Sequence, residues 1–186
     1  MEALLVSTGV VALAEIGDKT QLLTLVLAAR YKRPWPIVSG IFVATLVNHF
    51  IAGAVGAWLG RAPASSALRW VLGVSFLAMA VWMLVPDKLD DGSGDGRRLG
   101  GVFLTTTVLF FLLEIGDKTQ IATVALAARF EALTAVVIGT TIGMLLANAP
   151  VAFFGEALAR RVPVRTMHVL AALVFGGLGL AALLFG

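Results

Sequence analysis

The sequence predicts an all-α integral membrane protein of six transmembrane helices, arranged as two inverted three-helix repeats. Three observations carry this. Hydrophobic residues make up 59% of the 186 and charged residues only 13%, against about 45–50% and about 25% in a soluble domain. Apolar runs of about 20 residues, the length that spans a bilayer as a helix, recur from end to end without the alternation of barrel strands. The segment EIGDKTQLLTLVLAAR at 15–30 returns without gaps as EIGDKTQIATVALAAR at 114–129, identical at 12 of 16 positions and offset by 99.

The spans follow in order. The first covers roughly residues 3–29, the second 35–59 and the third 68–85. A polar linker at 87–98, DKLDDGSGDGRR, lacks the spacing and terminal Glu of an EF-hand and reads as a flexible solvated connector. The fourth span covers about 101–128, the fifth 132–158 and the sixth 167–185. The chain therefore divides into a first repeat (1–86), the linker (87–98) and a second repeat (99–186). Pro34, Pro63, Pro86 and Pro163 fall between spans and Pro36 at the very start of the second, as helix breakers should. Pro150 alone falls inside one, where it would kink the fifth span as a hinge or a static bend and free a carbonyl near Leu146. The G-x-x-x-G patterns at Gly56/Gly60 and Gly139/Gly143 read as packing contacts within the bundle rather than a dimer interface.

Composition excludes several classes. No cysteine is present, so disulfides, thiolate metal sites and thiol nucleophiles are out. The net charge of +3 does not point to nucleic acid, because the basic residues flank apolar runs, where they set topology. Nine Lys and Arg residues in loops one, three and five stand against three on the other side. That puts those loops in the cytoplasm and both termini outside. Arg30 and Arg129 match in sequence yet fall on opposite sides, which three helices per half require. The halves are then inverted, a common plan of secondary transporters. The N-terminus lacks a basic region, and its apolar run carries Glu15 and Asp18, so no cleavable signal peptide is expected.

Six ionisable residues lie inside these spans: Glu15, Asp18, Lys19, Glu114, Asp117 and Lys118. Each costs at least about 2.5–3.5 kcal/mol to insert, so they should face the interior or a water-filled cavity. On a continuous helix Glu15, Asp18 and Lys19 share an arc of about 100°. Glu15 and Lys19 can then pair at i, i+4, as can Glu114 and Lys118. If the repeats cross near the midplane, four carboxylates meet two lysines, and the acidic surplus attracts a cation. Thr20, Thr119, Gln21, Gln120, Asn48 and Asn148 add oxygens, a set suited to Ca²⁺, Mn²⁺ or Mg²⁺. His49 is the only histidine in the middle of a span, and its counterpart is Ala149 if Asn48 aligns with Asn148. It could tilt preference toward manganese, relay protons, or simply bond a backbone carbonyl. Gly17 and Gly116 allow either close packing, the commoner use, or unwinding that frees carbonyls. Neither a GxxxxGK[ST] motif nor a soluble domain is present to use a nucleotide. Exporting a divalent cation against an inside-negative potential costs about 4.6 kcal/mol per 100 mV, so exchange for protons is the expected drive. Carboxylates hold either, since desolvation favours their neutral form.

At these residues the sequence resembles the E-x-G-D-[KR]-[TS] twin-motif family. Its members include the Golgi manganese/calcium–proton exchangers of eukaryotes and bacterial manganese exporters, within the lysine-exporter superfamily. Both copies match in full, from Glu15 to Thr20 and from Glu114 to Thr119. The resemblance implies Mn²⁺ and/or Ca²⁺ exchange for H⁺, with Glu15, Asp18, Glu114 and Asp117 binding the cation. Lys19 and Lys118 would balance charge when the site is empty. It implies no enzyme activity and no resident cofactor. The partners considered are membrane lipid, the cation and a second copy of the chain. Without the extra N-terminal segment of organellar members, a bacterial inner-membrane location is expected. The rivals are an amino-acid or other small-solute exporter of the same superfamily, helix-gluing charge pairs, and an intramembrane aspartyl protease using Asp18 and Asp117. The Glu-Ile before Gly-Asp does not fit a G-x-G-D protease motif.

Overall fold

The computed structural model describes residues 1–61, 66–85, 100–155 and 163–185. The linker at 87–98, Pro63, Pro86 and five of the nine basic residues used for topology lie outside them. The described residues are helical, with no strand among them. The helices are α1 (Glu2–Glu15), α2 (Lys19–Tyr31), α3 (Pro34–Gly60), α4 (Ser66–Met83), α5 (Val102–Glu114), α6 (Lys118–Phe130), α7 (Leu133–Phe154) and α8 (Val164–Phe185).

The first and fourth apolar segments, expected as continuous helices, are each two. The breaks fall at Ile16-Gly17-Asp18 and Ile115-Gly116-Asp117. Periodicity could not reveal this, because an apolar run reads the same whether or not one glycine turns out of the helical region. Helices α3, α7 and α8 are long and apolar enough to cross a membrane, while Arg69–Met83 and Val102–Glu114 are shorter apolar helices. Pro34 opens α3 at its first turn, where its missing N–H would be unpaired anyway. α7 runs on through Pro150 to Phe154.

Small residues decide which helices meet. α3 and α7 pack on each other at the centre; α5 and α6 lie against α3, and α1 and α2 against α7. A Cβ on Gly40 would sit 2.9 Å from the Phe103 carbonyl of α5, and one on Gly139 2.6 Å from the Leu4 carbonyl of α1. Gly56 and Gly60 abut the carbonyls of Val124 and Ala128 on α6, and Gly143 that of Thr8 on α1. Both G-x-x-x-G patterns are therefore packing surfaces inside the bundle. α4 and α8 form a separate pair, joined by Phe76 stacked on Phe175 at 6.3 Å and by Gly73 against Leu183. Their outer faces, with Trp70, Val71 and Val81 on α4 and Leu173 and Leu184 on α8, are exposed and apolar, as lipid contact requires.

Replacing Gly56 by Ala forces the new methyl to within 2.2 Å of the Val124 carbonyl. The α3–α6 seam must open, at a cost of about 1–3 kcal/mol. Gly9→Ala meets nothing within 4 Å among the described residues and should stay within about 0.5 kcal/mol of the parent. Unfolding titrations in mixed micelles should separate the two variants by that margin.

Candidate cation site

The two copies of EIGDKTQ fold alike. Ile16 (φ −67, ψ 114) and Ile115 (φ −63, ψ 118) leave the helix in extended conformation. Gly17 and Gly116 follow at φ +83 and +76, a left-handed region that strains any residue with a Cβ. Asp18 (φ −77, ψ 168) and Asp117 (φ −78, ψ 165) then start α2 and α6. Of the two uses open to these glycines, unwinding is found at both, and Gly17 is also closely packed. Each break frees a backbone N–H, and the motif's own glutamine takes it: Gly17 N–H donates to Gln21 Oε1 at 2.9 Å and Gly116 N–H to Gln120 Oε1 at 2.7 Å. The glutamine amides reach across, from Gln21 to the Ala147 carbonyl at 3.0 Å and from Gln120 to Asn48 Oδ1 at 3.3 Å. Beside Pro150, the bonded carbonyl is thus that of Ala147.

The break also reassigns the lysines. The expected Glu15–Lys19 and Glu114–Lys118 pairs assume an unbroken helix. Instead Lys19 Nζ lies 2.8 Å from Asp117 Oδ1, and Lys118 Nζ lies 4.0 Å from Asp18 Oδ1. Each motif's lysine serves the other motif's aspartate. Lys118 also donates to the Val85 carbonyl beyond α4 at 3.1 Å.

The glutamates meet at the centre. Glu15, Glu114 and Asp117 are all buried and each offers one carboxylate oxygen within 4.8 Å of the others. Thr20 donates to Glu15 Oε2, and Thr119 donates to Glu114 Oε2 at 3.1 Å and lies 3.4 Å from Asp117 Oδ2. Oε1 of Glu15 and Oε1 of Glu114 are buried without a hydrogen-bond partner. Three carboxylates this close repel unless a cation or protons stand among them, and two unpartnered hard oxygens suit the cation.

α3 and α7 close the site. Asn148 Nδ2 lies 3.5 Å from Glu15 Oε2 and donates to the Met144 carbonyl at 3.1 Å. His49 Nε2 lies 3.8 Å from Glu114 Oε2. The offset of 99 therefore holds throughout: His49 answers Asn148 and Asn48 answers Ala147, not Asn148 and Ala149 as the shared asparagines suggest. Asn48 donates instead to the Phe111 carbonyl at 3.0 Å. Two site residues escaped the sequence reading. Thr24 donates to Asn148 Oδ1 at 2.7 Å, and its counterpart Thr123 donates to the Thr119 carbonyl at 2.7 Å. Their identity in both copies of the repeat was the available signal.

The breaks differ in their cover. A Cβ on Gly17 would lie 2.1 Å from Val164 Cγ1 at the start of α8, whereas one on Gly116 would meet nothing within 4 Å among the described residues. α8 leans on α1, and α4 on α6.

Comparison with known proteins agrees with the twin motif. The family described as "Divalent cation/proton antiporter GDT1" matches residues 3–91 and 102–186. A Vibrio cholerae protein named "Putative manganese exporter" is 49% identical over 190 residues, covering 100% of this chain and 92% of its own. GDT1-like protein 3 of Arabidopsis thaliana is 30% identical over 207 residues, covering 97% of this chain and 70% of its own. A GDT1-like protein of Synechocystis is 28% identical over 183 residues, covering 89% and 88%. No solved structure matches. With both halves of the sequence matched and each carrying its own copy of the acidic motif, the chain belongs to the GDT1 family of divalent cation/proton antiporters.

Proposed function

We propose that this antiporter exports Mn²⁺, or Ca²⁺, in exchange for protons across a bacterial inner membrane. Its six spans would form two inverted three-helix halves, with both termini outside the cytoplasm. The observation that carries the reading is the buried group of Glu15, Glu114 and Asp117, whose oxygens converge within 4.8 Å. Asp18 is not one of these three; it is buried 4.0 Å from Lys118 and is assigned to the site as the repeat counterpart of Asp117. Manganese is favoured by the name of the Vibrio cholerae relative. The glutamines, with their oxygens on the glycine N–H groups, hold the breaks open rather than bind the ion.

Charge counting supports exchange. Four carboxylates against two lysines leave a surplus of two negative charges, which one divalent cation or two protons would neutralise equally. Lys19 and Lys118 offset the aspartates crosswise, so the site never holds four bare carboxylates. Both lysines are directed at aspartates, which argues against the rival in which one binds the carboxylate of an amino acid.

Three outcomes test this. In liposomes enclosing a pH-sensitive dye, external Mn²⁺ or Ca²⁺ should drive proton movement that Asp18→Asn and Asp117→Asn each abolish. Absence of any divalent-driven proton movement in folded protein would sink the reading. Exchange of two protons per cation is electroneutral, so clamping the potential with valinomycin and K⁺ should leave the rate unchanged. Lys19→Met removes the positive charge 2.8 Å from Asp117. It should tighten cation binding about tenfold, equivalent to about 1.4 kcal/mol, while slowing release and hence turnover. Isothermal titration and flux assays read the two effects separately.

A further inference from the structure

His49 stands where the second half of the chain has Asn148, and the two positions differ in how they are satisfied. Asn148 accepts from Thr24 at 2.7 Å and donates to the Met144 carbonyl at 3.1 Å. His49 is fully buried, and neither ring nitrogen has a hydrogen-bond partner. The backbone-bonded structural histidine is therefore not what the fold contains. A buried imidazole normally finds a partner, and leaving one without costs about 1–3 kcal/mol. The ring faces the acidic cluster, with Nε2 3.8 Å from Glu114 Oε2.

Resting on the cation site proposed above, we propose that His49 is a metal ligand that makes the site select first-row transition-metal cations over Ca²⁺ and Mg²⁺. The other atoms that the described residues offer as metal ligands at the cluster are oxygens, and an all-oxygen site suits Ca²⁺ and Mg²⁺ as well as Mn²⁺. Imidazole nitrogen is a poor ligand for the hard alkaline-earth ions and a good one for the transition series. One nitrogen from α3, added to the carboxylates of α1, α5 and the α5–α6 break, gives a mixed set. The repeat would supply it once only, because asparagine occupies the matching place on α7.

The test is pulsed electron paramagnetic resonance on Mn²⁺ added to the purified full-length protein. Wild type should show a nitrogen hyperfine coupling that changes when the histidines carry the heavy nitrogen isotope. The coupling should vanish in His49→Asn, which copies the residue of the other repeat, and persist in His168→Gln. In competition titrations His49→Asn should lose about tenfold in Mn²⁺ affinity and less than about twofold in Ca²⁺ affinity. Mn²⁺ bound at a site that Asp117→Asn removes, but without nitrogen coupling in wild type, overturns the role of His49 and leaves the carboxylate site standing. Coupling that survives His49→Asn overturns it equally. Failure of wild type to bind Mn²⁺ overturns both.

Discussion

A glycine in left-handed conformation separates the two acids of each motif, and the arrangement of the site follows from that backbone. Had α1 continued into α2, Asp18 and Lys19 would have followed Glu15 around one helix, and the lysine would have met its own glutamate. With Gly17 at φ +83 and Gly116 at +76, the chain leaves the helix for one turn and resumes it at the aspartate. Glutamate then ends one helix and aspartate begins the next. In a low-dielectric setting the released N–H would cost several kcal/mol unless paired. Gln21 and Gln120 provide that pairing from four residues on, so each motif carries the means to stabilise its own break.

The crosswise lysines follow from the same geometry. Side chains that start a helix point back toward the turn before it, and across the break that direction leads to the other motif. Lys19 reaches Asp117 and Lys118 faces Asp18, which ties the two halves together at the point where their acids meet. A lone buried charge is among the costliest groups to hold. Two interlocked pairs lower that cost and leave the glutamates, with one unpartnered oxygen each, as the groups still in need of a positive partner.

Much of this was legible in the sequence and some could not be. Of the four acids expected to converge, three do. The apolar runs, the repeat and the packing glycines are local or compositional features, and they survive in the structure. The helix breaks are not, because glycine in a membrane helix serves close packing as readily as unwinding. Lysine partners were misread for that reason alone: an i, i+4 rule holds only while the helix does. The register of α3 against α7 was misled by a coincidence of residue type. Asn48 and Asn148 share a letter, but the bonds of Gln21 and Gln120 and the approaches to Glu15 and Glu114 set them one residue apart.

Two halves built alike would gain nothing from a site covered identically on both sides, because a cation held that way could not leave. The structure departs from symmetry where release would require it. The first break lies beneath Val164 of α8, and the second, with Gly116 exposed, meets no such cover among the described residues; α4 and α8 lean on α6 and α1 rather than on α2 and α5. The backbone of the two breaks is the same within a few degrees, so the asymmetry resides in the α4–α8 pair and not in the motifs. If the cation leaves past one break at a time, the pair that covers the first break is the part that would have to move. Its seam, built on Phe76, Phe175 and glycines packed against leucines, keeps α4 and α8 together. The pair could then shift as one body against the four half-helices. Lys118, bonded to the Val85 carbonyl just beyond α4 and 4.0 Å from Asp18, ties that pair to the acids of the site.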